Sequence, residues 1–314
     1  SPRSTAPNQT LALSASATRL TTKATWRPSG DRAGELHETR LPMICSAIDV
    51  WDMVVTVPAP SPRVRQYPGE LAWPVMSMNR QSYLAALHRD GLTFGELCDA
   101  APLDTAVPSC PGWVLGDLVY HLTVAHDFWG RMVHENLTDP SVYERLPRAH
   151  DGEVLDAYWA AFDRVRTVLE GAADDQRVWT WTDDQTVGFV VRRLAHETAV
   201  HLWDAADALG RRVAVDAALA SDGIDEFLTT FQSGAEPGDP SAHLHCTDVP
   251  GEWTLRPGDG RYAVAREHAK GDIALRGPAS DLLLVLWGRL PTASIDLIGD
   301  PDATERFLAH FNRT

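Results

Sequence analysis

Apolar residues recur every three or four positions in four successive segments of the chain, which is the spacing of one face of an α-helix. Gly210 follows the last segment, at the kind of position where helices commonly end. Amphipathic helices in succession predict a bundle whose apolar faces share one core. The four segments are 79–99, 114–136, 152–169 and 187–209.

The pattern beyond residue 211 is different, because short strand-like runs are mixed with shorter helical segments. The predicted strands are 242–246, 253–256, 263–267, 272–275 and 294–298, and the predicted helices are 216–231, 282–290 and 302–311. We therefore expect a mostly α fold plus an α+β fold. A four-helix bundle over 78–211 would be followed by a small α+β domain over 212–314.

Residues 1–77 differ from the rest, since they are rich in Ser, Thr, Pro and Arg and show no sustained period. The proline-rich stretch 58–62 cannot continue regular structure, and only 54–57 resembles a short strand. We expect this segment to be a disordered extension or upstream sequence translated from a misplaced start.

Charge separates the same two parts of the chain. Residues 1–77 carry eight basic and six acidic side chains, whereas the remainder carries 20 basic and 37 acidic ones and accounts for the net charge of −15. The excess of acidic side chains after residue 77 argues against nucleic acid or an anionic membrane as a partner. No apolar stretch is long enough to span a bilayer.

The cysteines indicate a reducing compartment. The four of them, Cys45, Cys98, Cys110 and Cys246, form no C-x-x-C pair, and a chain of 314 residues does not need disulfides to fold. A cytoplasmic location is therefore expected. Cys110 precedes the second helix and could be a reactive thiol, although a structural role is the simpler interpretation.

Three side chains on apolar helix faces suggest a metal site. Glu197 and His201 are four residues apart, so at about 100° per residue they point within about 40° of each other. His121 lies in the centre of the apolar stripe of the second helix. Two histidines and a glutamate form a zinc ligand set that leaves a position open. Each residue could also be a hydrogen-bonded core group or a simple helix contact.

Neighbouring residues are expected to take other roles. His196 is five residues from His201 and about 200° from Leu194 on the helix, which predicts that it faces outward and takes no part in the site. Asp117, one turn before His121, could orient that imidazole. The simpler interpretation is that it favours the helix N-terminus through the helix dipole.

Several motifs resemble a known family. The segments VPSCPGW at 107–113, DLVYHL at 117–122 and LAHETAVHLWDA at 194–205 are similar to the two signatures of the mycothiol-dependent maleylpyruvate isomerase family. REHAKGD at 266–272 and LRGPASDLLL at 275–284 resemble the C-terminal domain of that family.

The resemblance implies a DinB-like four-helix bundle, a sterol-carrier-like α+β domain and one divalent ion, usually zinc. It places the metal ligands at His121, Glu197 and His201, and it implies mycothiol as the thiol cosubstrate. It also implies that an arginine of the C-terminal domain binds substrate carboxylates, for which Arg289 is the first choice and Arg276 the second.

The family includes isomerases and S-transferases, so the resemblance implies thiol addition to an electrophilic small molecule that could carry carboxylates. Adduct rotation and elimination would give cis–trans isomerisation, whereas a stable adduct would give transfer. Two other hypotheses are a metal-dependent hydrolase that uses water, and a non-catalytic protein that binds a metal or a small apolar ligand. Fold similarity alone does not separate the three.

Overall fold

Four long helices form the first domain of the computed structural model, which describes residues 78–311. They agree with the four predicted amphipathic segments to within a few residues. The helices are α1 (Arg80–Asp99), α2 (Leu115–His134), α3 (Val154–Gly171) and α4 (Val187–Ala208). The expected extension over 1–77, including the short strand at 54–57, lies outside the described residues.

The apolar stripes of the four helices meet in one core. α2 packs along α3 and α1 along α4, while α1 also contacts α3 and α2 contacts α4. Phe94, Leu118, Phe162 and Leu194, one from each helix, are fully buried in this interior. The bundle therefore holds α2 and α4 side by side, which are the two helices that carry the predicted metal ligands.

The ends of α4 are set by local chemistry. At its start the Thr186 hydroxyl accepts a hydrogen bond from the backbone N–H of Phe189 (3.3 Å), as an N-cap does. At its end Gly210 has a φ of +65°, and the N–H groups of Gly210 and Arg211 bond back to the carbonyls of Asp207 and Ala206. This is the glycine-terminated helix end that the sequence predicts.

The second domain contains a five-stranded sheet flanked by helices. Its elements are α5 (Ala217–Thr230), β1 (Ala242–Cys246), β2 (Glu252–Pro257), β3 (Tyr262–Ala265), β4 (Ile273–Gly277), α6 (Ala279–Leu286), β5 (Asp296–Ile298) and α7 (Pro301–Leu308). The strand order is β3-β2-β1-β4-β5, with β1 and β4 parallel and the other pairs antiparallel. The predicted combination of a helical domain with an α+β domain is thus confirmed.

One face of the sheet is buried against α5 and α6. Leu244, Trp253 and Leu275 point to that face and are fully buried, and the Trp253 indole donates to Asp225 of α5 (3.0 Å). Alternate strand residues, including His243 and His245, lie on the opposite face. None of the helices within 78–311 has an apolar run of the length that a bilayer crossing requires.

The predicted helix over 282–290 is displaced. It begins at Ala279 and ends at Leu286, because Gly288 adopts a φ of +71° and terminates it. Arg289 therefore lies in the turn after α6 and not on the helix. The predicted helix over 302–311 likewise ends at Leu308, since Phe311 forms a backbone bridge with Gln232.

Candidate metal centre

His121, Glu197 and His201 come together at the interface of α2 and α4. The Nε2 atoms of His121 and His201 lie 2.9 and 3.2 Å from the same carboxylate oxygen, Oε1 of Glu197. The two imidazole rings are 4.7 Å apart between centroids and nearly perpendicular. The spacing of Glu197 and His201 by one helical turn brings them to one face, and the packing of α2 adds His121.

The group is buried but retains access to solvent. The side chain of Glu197 is 21% exposed, and those of His121 and His201 are 11% and 10% exposed. The Trp113 ring lies 5.4 Å from that of His121. Of the three side chains, that of Glu197 therefore has the most contact with solvent.

Asp204 orients His201 from one turn further along α4. Its Oδ2 lies 2.8 Å from Nδ1 of His201, which leaves Nε2 directed at Glu197. Asp204 is fully buried and accepts two hydrogen bonds from the guanidinium of Arg289, at 3.2 and 3.1 Å. Arg289 comes from the second domain, so both domains contribute to the positioning of His201.

Arg193 holds the other oxygen of Glu197. Its guanidinium donates to Oε2 of Glu197 and also to Glu226 of α5. The Arg193 side chain is only 6% exposed, and it lies 5.2 Å from the ring centroid of Phe231. Glu197 is therefore held as an ionised carboxylate with Oε1 directed at the two histidines.

Burial and neighbouring charges shift the pKa of all three side chains. Burial alone would raise the pKa of Glu197, but Arg193 and His201 hold it well below its usual range. Burial lowers the pKa of His121, so that imidazole is neutral. Burial would also lower the pKa of His201, but the carboxylates of Glu197 and Asp204 raise it to about 9. A metal ion would displace that proton on binding.

The donor set fits a divalent ion. Two imidazole nitrogens and one carboxylate oxygen all lie within 4.8 Å of one another. This is a ligand set of catalytic zinc sites, which keep a position for water or substrate. The His201–Asp204 contact matches the carboxylate that commonly orients a metal-binding histidine.

His196 does not face outward as expected. Its side chain is 2% exposed and lies between α4 and α5, with Nδ1 2.8 Å from Glu226 and Nε2 3.0 Å from Asp222. Helical periodicity placed it away from the bundle core correctly, but α5 covers that side of α4. It remains outside the metal-ligand group.

Two further residues of α2 have structural roles. Asp117 does not touch His121: its carboxylate accepts from the backbone N–H of Val114 (3.0 Å) and pairs with Arg148, which is the helix N-terminal role. His126, five residues after His121 on α2, is fully buried 3.3 Å from the hydroxyl of Thr198. Burial lowers the pKa of His126 to about 3, so it is a neutral core residue.

The two candidate arginines are in different places. Arg289 is 7% exposed and reaches the group through Asp204. Arg276 lies on β4, half exposed, and pairs with Asp296 of β5 (3.3 Å). Cys110 is buried, with its Sγ 3.9 Å from Oδ2 of Asp204.

Asp204 and Arg193 are the positioning residues that sequence reasoning missed. Both lie on α4 at a helical spacing from a candidate ligand, Asp204 three residues after His201 and Arg193 four residues before Glu197. That spacing was the available signal. A charged residue beside an apolar stripe is usually solvated, however, whereas here Arg289 and Glu226 of the second domain pair with these two.

Two family descriptions match the chain. Residues 84–206 match the mycothiol maleylpyruvate isomerase N-terminal domain, and residues 218–306 match the MDMPI C-terminal domain. Together they span both domains of the described structure. Among curated proteins, none matches the chain in sequence.

Two solved structures share the fold. One is a mycothiol-dependent maleylpyruvate isomerase, with a TM-score of 0.51 at 9% identity over 70% of this chain and 93% of that chain. The other is a variant of such an enzyme with one histidine replaced by alanine, with a TM-score of 0.50 and the same identity and coverage. At this identity the likeness shows the fold alone.

Proposed function

Because the chain belongs to the mycothiol-dependent maleylpyruvate isomerase family, we propose that it is a metal-dependent enzyme that adds the thiol of mycothiol to an electrophilic small molecule. The observation that carries this proposal is the convergence of His121 and His201 on one oxygen of Glu197. These three residues would hold one divalent ion, with zinc as the first choice.

A bound ion would supply a Lewis acid and lower the pKa of a thiol near it. The chain's own residues prepare the place for it. Asp204 fixes the tautomer and direction of His201, and Arg193 keeps Glu197 ionised. The half-buried Trp113 beside His121 limits the water around the group.

The proposed reaction is addition to an activated double bond. A carbon–sulfur bond forms, the neighbouring carbon takes a proton, and the former double bond becomes a single bond that can rotate. Loss of the proton and of the same sulfur gives the trans isomer and returns the thiol. If the sulfur stays attached, the reaction is an S-transfer.

The thiol is proposed to come from a small molecule. Within residues 78–311, the cysteines Cys98, Cys110 and Cys246 are all buried. Burial raises the pKa of Cys98 and of Cys246 to about 12, which disfavours the reactive thiolate. A soluble thiol such as mycothiol would reach the group from outside.

The first experiment compares turnover with and without thiol. A panel of electrophiles that includes maleylpyruvate-type enone diacids is incubated with the zinc-loaded chain, in the presence and absence of mycothiol. We expect turnover only with the thiol. The Glu197→Gln and His201→Ala variants should lose both metal and activity, whereas His134→Ala, at the exposed end of α2, should retain both. Equal turnover without thiol would favour a hydrolase that uses water.

Arg289 is proposed to act as a positioning residue. Its guanidinium donates to both oxygens of Asp204 and to the carbonyl of Trp287, so three of its five N–H groups hold Asp204 and the turn after α6. We therefore expect Arg289→Ala to weaken zinc binding as well as to raise KM, with Arg276→Ala as the control. Unchanged zinc affinity with a raised KM would instead assign it to the substrate carboxylate.

A further inference from the structure

Three histidines and a glutamate gather on the open face of the sheet in the second domain. His243 and His245 belong to β1, Glu252 to β2, and His268 to the segment between β3 and β4. Their side chains each offer one ligand atom, and these four atoms lie within 4.8 Å of one another. We call these residues the sheet cluster. It shares no residue with the group formed by His121, Glu197 and His201.

The strand pattern explains how the sheet cluster forms. Alternate residues of β1 point to opposite faces, so Ala242, Leu244 and Cys246 are buried while His243 and His245 share the other face. His245 is directly opposite Glu252 in the antiparallel pair of β1 and β2. Cross-strand neighbours on one face are about 5 Å apart at Cβ, which brings the carboxylate to the imidazole.

The fourth member is held in place by the loop after β3. The hydroxyl of Thr254 donates to the backbone carbonyl of Glu267 (3.2 Å), next to His268. Arg256 also pairs with the side chain of Glu267 (2.8 Å). These contacts anchor the loop against the face that carries the histidines, although the His268 side chain itself is 65% exposed.

The carboxylate of Glu252 bonds to two of the three imidazoles. Glu252 Oε2 lies 2.9 Å from Nδ1 of His268, and Oε1 bonds to Nδ1 of His245. His243 is left over: among residues 78–311 its buried Nε2 has no hydrogen-bond partner, and the nearest oxygen of Glu252 is 4.0 Å away. A buried polar nitrogen without a partner is costly and requires an explanation.

The missing partner of His243 is best supplied by a cation. The Nε2 atom of His243 lies 4.0 Å from Oε2 of Glu252, which is too long for a hydrogen bond but suits two atoms that bind one ion between them. The ring centroids of His243 and His268 are 4.9 Å apart, so both imidazoles can reach one ion. A metal ion would bind all three rings and the carboxylate together.

We infer that His243, His245, Glu252 and His268 form a second divalent-cation site, with zinc as the natural occupant of this nitrogen and oxygen ligand set. Tetrahedral zinc needs ligand atoms about 3.4 Å apart, so no separation within the sheet cluster would have to shorten by more than about 1.4 Å. The exposed His268 can make that movement. Because four protein ligands leave no open position, the site would be structural and would fasten the loop at 266–272 to β1 and β2.

The test is zinc binding by the full chain, with zinc alone as the probe. His121→Ala removes the proposed site in the bundle, so that background isolates the sheet cluster. We expect two zinc ions per wild-type chain and one per His121→Ala chain, measured by calorimetric titration and elemental analysis. If the bundle site does not exist, the wild-type chain binds one ion and His121→Ala leaves that number unchanged, so the two proposals fail separately.

Variants of the sheet cluster decide the assignment. In the His121→Ala background, Glu252→Gln and His268→Ala should each weaken zinc binding by about tenfold or more. His310→Ala is the control, because His310 lies in the same domain and also pairs with a carboxylate, Asp239 (3.0 Å). The inference is overturned if the His121→Ala chain binds no zinc, or if both cluster variants bind zinc as tightly as the His310 variant.

A second measurement does not depend on how the buried variants fold. His268 is exposed, so His268→Ala should fold normally. Zinc at about 100 times its dissociation constant should raise the Tm of the His121→Ala chain by about 5 °C, because it binds only the folded state. The same zinc should not raise the Tm when His268 is also replaced. An equal rise in both chains would contradict the site.

Discussion

Asp204 is the residue at which the candidate metal-ligand group meets the second domain. It is fully buried, and it contacts His201 on one side and Arg289 on the other. Burial alone would raise the pKa of Asp204, but Arg289 and His201 hold it far below its usual range. A permanently ionised carboxylate therefore keeps Nε2 of His201 directed at Glu197.

Replacing Asp204 with asparagine tests this arrangement. Asp204→Asn removes the charge that orients His201, and we expect zinc affinity to fall by about 10- to 100-fold. Competition with a chromophoric chelator measures the change. Asp207→Asn is the matched control, since Asp207 is exposed on the same helix. Equal affinities in the two variants would exclude Asp204 from the metal centre.

Buried charges join α4 to α5. Arg193 and His196 of α4 both contact Glu226 of α5, and Arg192 donates to Asp222 (2.8 Å). Glu226 is 1% exposed, and without it Arg193 would keep only Glu197 and His196 only Asp222 as a charged partner. This contact between helices depends on the complete set of charges.

Glu226 gives this contact a defined pH dependence. Burial alone would raise the pKa of Glu226, but Arg193 and His196 lower it to about 2 from an ordinary 4.5. A depressed folded-state pKa means that the stabilisation is complete above about pH 4.5 and is lost as the pH falls toward 2. Denaturant unfolding between pH 7 and 2.5 should therefore show a steep loss of stability on the acid side.

The variant Glu226→Gln should flatten that acid limb. It should also lower the free energy of unfolding at pH 7 by about 3 kcal/mol, because Arg193 and His196 lose their shared partner. Glu236→Gln serves as the control, as Glu236 is exposed in the same domain. An acid limb as steep in Glu226→Gln as in the control would show that other carboxylates dominate.

The helices were predictable because each buries one stripe of its own sequence. The same periodicity gave His121, Glu197 and His201, which lie on the apolar sides of α2 and α4. It failed for His196, because a residue away from the bundle core can still be covered by α5. Likewise Arg289 was placed on a helix, since the pattern continues past Gly288, where a positive φ ends α6. The hydrophobic periodicity of a single helix does not predict which element of the other domain packs against it.

At the scale of the molecule, residues 78–311 contain the matches to both family domains. We expect a chain that starts at Met78 to keep the Tm and zinc content of the full chain, since 1–77 lacks the apolar period of a core. Thermal unfolding and elemental analysis measure both. A Tm lowered by more than about 5 °C would show that the segment contributes to the fold.

A chain that starts at Leu84 provides the contrast. It would lose Asn79, whose side chain accepts from the backbone N–H of Ser82 (2.9 Å), and the buried Tyr83. The lost helix cap alone should cost about 1 kcal/mol. A Leu84 chain as stable as the Met78 chain would mean that the start of α1 contributes little.

Arg193 has a consequence for thermodynamic coupling. Its one guanidinium is divided between Glu197 and Glu226, and it also lies over the Phe231 and Trp287 rings of the second domain. A cation bound to Glu197 would weaken the Arg193–Glu197 ion pair, because it neutralises the same carboxylate. The Arg193–Glu226 ion pair would then be strengthened. A change in how the second domain packs against α4 would then change the affinity for the ion. By reciprocity, the ion would change the equilibrium constant of that packing by the same factor. Ion binding at α4 and packing of the second domain against α4 would then be two coupled steps of one equilibrium. Binding of the ion would change how firmly the second domain is held.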